Sequence, residues 1–185
     1  MIARLICWMM AMAMTVLTPV AMAEDGYDLW LRYARVDGAA AARIAAHASV
    51  ITAPGDSATM QIIRDELQRG VTGMTGTAPM IADSMRPGAL WLATPETAPA
   101  LPLPLEGLGQ EGYAIRSIRV EGQPVTLIAA QGEMGLLHGA FHWLRLAQSG
   151  AALDAIDIRS APRIGLRLLN HWDNLDGTVE RGYAG

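Results

Sequence analysis

Asn170, His171, Trp172, Asp173, Asn174 and Asp176 crowd hydrogen-bonding groups around one indole within seven residues. A Trp face packs on the C–H faces of sugars, while neighbouring carboxamides and carboxylates bond sugar hydroxyls. The chemistry this grouping suits is saccharide binding. The competing reading is a polar turn whose Asn and Asp cap a following helix, with the Trp covering the mouth of a barrel. Just upstream, Ile164, Leu166, Leu168 and Leu169 form a short apolar run. That run suits a parallel strand covered on both faces. A polar rim at the carboxyl end of such a strand is where barrel enzymes place their chemistry. A strand of this kind needs companions, so the chain reads as the front part of something larger.

Other candidate motifs carry less. His138 and His142 stand four apart on a predicted helix, a spacing that can bind zinc, but Gly139 occupies the place of a protease's general-base Glu. With no third ligand evident, no metal is expected, and the pair reads with Arg145 as a solvated polar stripe. Gly132-Glu133-Met134-Gly135 and Gly107-Leu108-Gly109 lack the full phosphate-loop spacing, and the chain contains no Lys, so they read as turn glycines. Asp154 and Asp157 look like solvent-facing residues at a strand end. No Ser/His/Asp arrangement can be picked out, and no cofactor is implied.

The amino-terminal end has one charge at Arg4, an apolar stretch from Leu5 to Leu17, Pro19, and a small-x-small site at Ala21-Met22-Ala23. This predicts a secretory signal peptide over residues 1–23, cleaved before Glu24, and export to the periplasm or the medium. Cys7, the only cysteine, leaves with it, so neither disulfide nor thiol chemistry is expected. Beyond the signal no stretch is long enough to span a bilayer. Thirteen Arg then face eighteen acids, a balance that argues against nucleic acid as a partner.

Between the ends, the pattern predicts alternating elements. Tyr27 to Val36 leans to an opening strand. Ser49 to Thr52 is a short strand stopped by Pro54-Gly55. Ser57 caps a helix with Met60, Ile63, Leu67 and Val71 inward, an Asp65–Arg69 pair outside, and Gly70 as its stop. Gly88 to Thr94 is a buried strand, and Pro95, Pro99, Pro102 and Pro104 mark a surface loop. Gly112 to Val120 and Val125 to Gln131 form a hairpin around Glu121 to Pro124. A helix from Gly135 to Gln148 has Leu137, Phe141 and Leu144 as its core stripe, and Asp154 to Arg159 is a further strand with Ile156 and Ile158 inward. The fold class is α/β, an α+β sandwich of one mixed sheet with packed helices, followed by the first strand of an incomplete (β/α)8 barrel.

At the carboxyl end the residues Arg167 to Gly185, with Asn170-His171-Trp172-Asp173-Asn174 as the specific part, resemble the start of the catalytic barrel in the α-glucuronidases of glycoside hydrolase family 67. Gly26 to Tyr33, Asp65 to Gly70, Gly112 to Ile115 and Gly135 to Gln148 continue the likeness over nearly the whole chain after the signal. The resemblance implies an accessory α/β domain over residues 24–158 and the start of a truncated barrel over 159–185, with strand 1 at Pro162 to Asn170. It implies inverting removal of α-1,2-linked glucuronic acid, or its 4-O-methyl ether, from glucuronoxylan-derived oligosaccharides. Trp172 would pack on the uronic acid, and Asp173 and Asn174 would hold the loop. A homodimer of the full-length parent is among the assemblies it allows. A (β/α)8 barrel takes about 250 residues, and an inverting enzyme needs two carboxylates. In this family these belong to later strands, so catalytic residues are expected beyond Gly185 and the chain alone is expected to be inactive. Two other readings stand beside this one: a stand-alone carbohydrate-binding or interaction domain, and the front of a hexosaminidase-like glycosidase, which shares the Gly135–Gln148 helix pattern.

Overall fold

A computed structural model describes Asp28 and residues 31–101 and 103–168. The chain separates into two units, residues 1–32 and 33–185. In the first, the Leu31 amide donates to the Asp28 carbonyl at 2.8 Å. The second unit holds every helix and strand described below.

Helix α1, Gly38–Ala48, begins where the Asp37 carboxylate accepts from the Ala40 amide at 2.8 Å. That bond satisfies one of the amides a helix start leaves without a partner. Strand β1, Val50–Thr52, follows. In helix α2, Ala58–Thr75, the Ser57 hydroxyl accepts from the Met60 amide at 3.1 Å, and Met60, Ile63, Leu67 and Val71 are buried, as their spacing predicts. Gly70 does not end it. The helix runs on to Gly76, where φ is +74°.

Gly70 and Gly73 instead make room. A Cβ on Gly70 would lie 2.5 Å from a Leu144 methyl, and one on Gly73 would lie 2.8 Å from the Tyr33 carbonyl oxygen. The described residues between Tyr27 and Val36 form no strand. Tyr33 turns with φ 44° and lays its ring on α2, where its hydroxyl donates to Glu66 at 2.5 Å. Burial, and then this acceptor, push the phenol's pKa up, so it remains a donor. Arg69 pairs with Glu66 at 3.5 Å rather than with Asp65, which accepts from Gln61 at 2.6 Å.

The remaining elements are β2 (Met80–Ala82), β3 (Ala89–Ala93), β4 (Tyr113–Val120), β5 (Gln123–Ala130), α3 (Glu133–Gln148) and β6 (Asp157–Ser160). One mixed sheet has the order β2-β1-β3-β5-β4-β6. β1 is parallel to β2 and β3, β3 is parallel to β5, and β4 is antiparallel to both β5 and β6. Every strand except β4 therefore points the same way. Glu121 and Gly122 join β4 to β5 with φ of 51° and 78°, the two positive values that a tight twisted hairpin requires.

The helices touch in series, α1 to α2 to α3. They lie on the sheet face that carries Thr126, Ile128 and Ala130. The opposite face carries Ala93, Ala114, Leu127 and Ala129, covered by Leu103, Leu105 and Leu108. The proline-rich stretch expected as a surface loop thus closes a second core.

In α3 the buried residues are Gly135, Leu136, Gly139, Ala140, Trp143, Leu144 and Ala147. Of the expected stripe only Leu144 is among them, while Leu137 and Phe141 are half-buried. The reason is close approach. A Cβ on Gly135 would lie 2.3 Å from the Gly112 carbonyl oxygen, and one on Gly139 would lie 2.5 Å from an Ile128 methyl. These two glycines, not the bulkiest side chains, choose the inward face.

Ile156 is buried and Ile158 half-buried. Residues 161–168, expected to open a barrel strand, form none, and Ile164, Leu166 and Leu168 are 65, 75 and 82% exposed. A strand exists through its ladder partners, and the described residues offer this segment none.

Gly135→Ala should cost about 2–3 kcal/mol, because a backbone carbonyl must move. Gly139→Ala should cost about 1 kcal/mol, since the gain of ~1 kcal/mol in helix propensity offsets part of the clash. Equilibrium urea unfolding reads the difference, and a Gly135→Ala variant as stable as the parent would contradict the packing described.

Candidate functional site

Trp172, Asp173 and Asn174, with Asn170, His171 and Asp176, lie outside the described residues. What is described is the platform leading to them. β6 ends at Ser160, opposite Tyr113. Within the segment that follows, Arg167 donates to the Ile164 carbonyl at 2.7 Å and pairs with the Glu111 carboxylate. The expected histidine stripe lies against this same corner. His138 Nδ1 is 3.1 Å from the Glu111 carbonyl oxygen, and His142 Nδ1 is 2.7 Å from the Tyr113 hydroxyl. The Tyr113 and His142 rings meet edge-on, with centroids 5.7 Å apart.

Each histidine is thus engaged with the start of β4 rather than left in solvent. No group of three or more His, Cys, Asp or Glu is placed for a metal among the described residues.

Burial, and then the nearby Arg145 charge, hold the His142 pKa below the ordinary imidazole value. The neutral ring shares a hydrogen bond with the Tyr113 hydroxyl through Nδ1. The unfolded chain therefore takes up a proton first as pH falls through about 6.5, and stability declines below that point. In an NMR titration the His142 ring should have its midpoint below 6.5, and Arg145→Gln should raise that midpoint without restoring it fully. A midpoint at or above 6.5 in the parent would refute the assignment.

A second polar cluster escaped the sequence reading. His47, 3% exposed at the end of α1, has Nδ1 3.3 Å from Thr126 Oγ1 and Nε2 2.9 Å from Asp154 Oδ1. The order hydroxyl–imidazole–carboxylate resembles a nucleophile with its base. Thr126, however, has no exposed surface, so no substrate reaches its oxygen. The trio is a clip tying α1 to the turn after α3. Beside it the Ser117 hydroxyl donates to the Leu153 carbonyl at 2.7 Å and accepts from the Ile156 amide at 2.9 Å. Of the two acids expected in solvent, Asp154 is exposed yet bonded to His47, and Asp157 pairs with Arg116 at 2.7 Å. His47 lies 79 residues from Thr126 and 107 from Asp154, so no local pattern could have revealed the group.

A third feature is a crevice of about 290 Å³ at the carboxyl ends of β1, β3 and β5. Asp56, Thr94, Glu96, Thr97, Glu133 and Leu136 line it. The Ser57 hydroxyl donates to Glu133 at 2.7 Å, joining the starts of α2 and α3 beside it.

The amino-acid sequence that builds this sheet has counterparts among known proteins. Residues 29–143 match the Glycosyl hydrolase family 67 N-terminus, and residues 146–185 match the Glycosyl hydrolase family 67 middle domain. The chain belongs to glycoside hydrolase family 67. Among curated relatives, the Probable alpha-glucuronidase A of Aspergillus terreus is 34% identical over 178 residues, covering 90% of this chain and 20% of the relative. That of Aspergillus oryzae is 30% identical over 184 residues, covering 96% and 21%. The chain spans about a fifth of the length of the curated relatives it matches.

Proposed function

We propose that this chain is the amino-terminal part of an exported α-glucuronidase that removes α-1,2-linked glucuronic acid, or its 4-O-methyl ether, from xylan-derived oligosaccharides with inversion. One observation carries the reading: the family match passes without a break in kind from the accessory domain into residues 146–185, the span holding the Trp172 cluster. In this reading residues 24–158 are the accessory domain, 159–185 begin the catalytic barrel, and residues 1–23 direct export. The exposure of Ile164, Leu166 and Leu168 supports it, since aliphatic side chains of an inner strand are covered only when neighbouring strands and helices close around them. The same exposure counts against a stand-alone binding domain.

Trp172 supplies the flat apolar wall for the uronic acid ring, with Asp173 and Asn174 holding the loop. The acid that protonates the leaving xylose oxygen and the base that activates water stand roughly 6.5–9.5 Å apart in an inverting site, and they belong to strands beyond Gly185. The chain of 185 residues by itself should therefore release no uronic acid from aldouronic acids, and measurable turnover would refute this. In the full-length enzyme Trp172→Ala should lower kcat/KM by roughly thirtyfold, the ~2 kcal/mol of a lost aromatic face. An unchanged kcat/KM would remove Trp172 from the site.

A further inference from the structure

The crevice lies where the chain's connections part. From β1 the chain passes to α2 on the helical face, whereas from its neighbour β3 it passes to the leucine-bearing loop on the opposite face. Connections that leave two adjacent parallel strands on opposite sides cannot close over the strand ends. The gap this leaves is where open α/β sheets bind ligands. Its volume of about 290 Å³ falls at the lower bound of the roughly 300–1,000 Å³ typical of ligand pockets, a size that suits a single sugar ring. We infer that this crevice is a second saccharide site, taking one uncharged pyranose ring and separate from the uronic acid site proposed at Trp172.

The lining decides the class of ligand. Asp56, Glu96 and Glu133 offer carboxylates, and no Arg or Lys lines the crevice. Phosphate, sulfate or a uronate would meet like charge there. The Thr94 and Thr97 hydroxyls are held in a local turn, where each accepts from the other's amide at 3.3 and 3.0 Å, so the carboxylates and the α3 amides are the groups that face a ligand. The first-turn amides of α3 start behind Gly132, which as a glycine brings no side-chain acceptor to its own cap. A sugar hydroxyl donates to a carboxylate and accepts from an amide at once, so a neutral polyol satisfies both sets of groups. Met60 and Leu136 border the floor and keep its base apolar, although almost all of their surface is covered by the core. A bare cation would use the carboxylates alone, and the described residues hold no cluster of three placed to ligate one. The crevice opens at the sheet end where β6 finishes at Ser160, so it faces the end from which the chain leaves toward residues 161–168. Its ligand-binding role does not require the α-glucuronidase reading to hold.

The test is direct binding. The 185-residue chain is titrated with xylose, xylotriose, glucuronate and Ca²⁺ while amide shifts are followed by NMR. The same ligands are titrated calorimetrically into full-length protein carrying Trp172→Ala, so that loss of the uronic acid site leaves this reading measurable. Saturable shifts with xylose and xylotriose at residues 94–97 and 132–134 are expected, with glucuronate about tenfold weaker or more. Glu96→Gln should weaken xylose about fivefold or more without changing the melting curve, and Glu133→Gln, which also alters the bond to Ser57, should weaken it by at least as much. The proposal is overturned if neutral sugars give no saturable signal in either protein, if glucuronate binds as tightly as xylose, if Ca²⁺ is the one ligand bound, or if both substitutions leave xylose binding unchanged.

Discussion

Helix α3 meets the sheet at two points where it carries no side chain of its own, and much else follows from that contact. Gly135 meets the backbone at Gly112, and Gly139 meets Ile128. Bare backbone at these two points brings the helix nearer than any side chain would allow, and interiors packed at crystal density transmit such a constraint to their neighbours. Trp143 is wholly buried, Leu144 reaches Gly70 of α2, and α2 in turn receives Tyr33. The order of packing runs outward from two absent side chains. The same contact holds His138 and His142 against the start of β4, which explains why neither behaves as a surface residue.

The sheet's polarity gives this packing a functional direction. Five of the six strands share one sense, and β1, β3, β5 and β6 end together. At that end lie the starts of α2 and α3, the crevice between them, and the departure of the chain after Ser160. The crevice and the linkage to the following segment are thus gathered on one rim, while the other end carries the tight turn at Glu121 and Gly122 and the His47 clip. Glu111 illustrates the economy of the rim, since its carboxylate pairs with Arg167 and its carbonyl faces His138.

How much of this is legible in the sequence depends on the range of the forces involved. Helix α2, the hairpin and strand β3 are set by local signals: a Ser57 cap, 3.6-residue periodicity, a Gly122 turn and an unbroken apolar run. They appear where the pattern places them. The stop at Gly70 and the inward face of α3 do not, because the role of a glycine, ending a helix or admitting a neighbour, is decided by residues far along the chain. Helix α1 is signalled only by Asp37 and its alanines, and alanine gives propensity without an amphipathic stripe. β2 is three residues at an edge, too short for alternation to register. The family was legible because Asn170 to Asn174 is a distinctive run, whereas the crevice was not, since its walls come from three loops that meet only once the sheet is assembled.

The grip of Arg159 has a mechanical consequence. Its guanidinium donates to the Pro104 carbonyl and, at 2.7 Å, to that of Glu106. It stands one residue before the last of β6. Load applied to the polypeptide past Ser160 is therefore shared with the proline-bearing cover, whose Leu103 and Leu105 are seated in the lower layer. Proline stiffens that cover by fixing φ, so it acts as a strain relief, like the collar where a cable enters its housing.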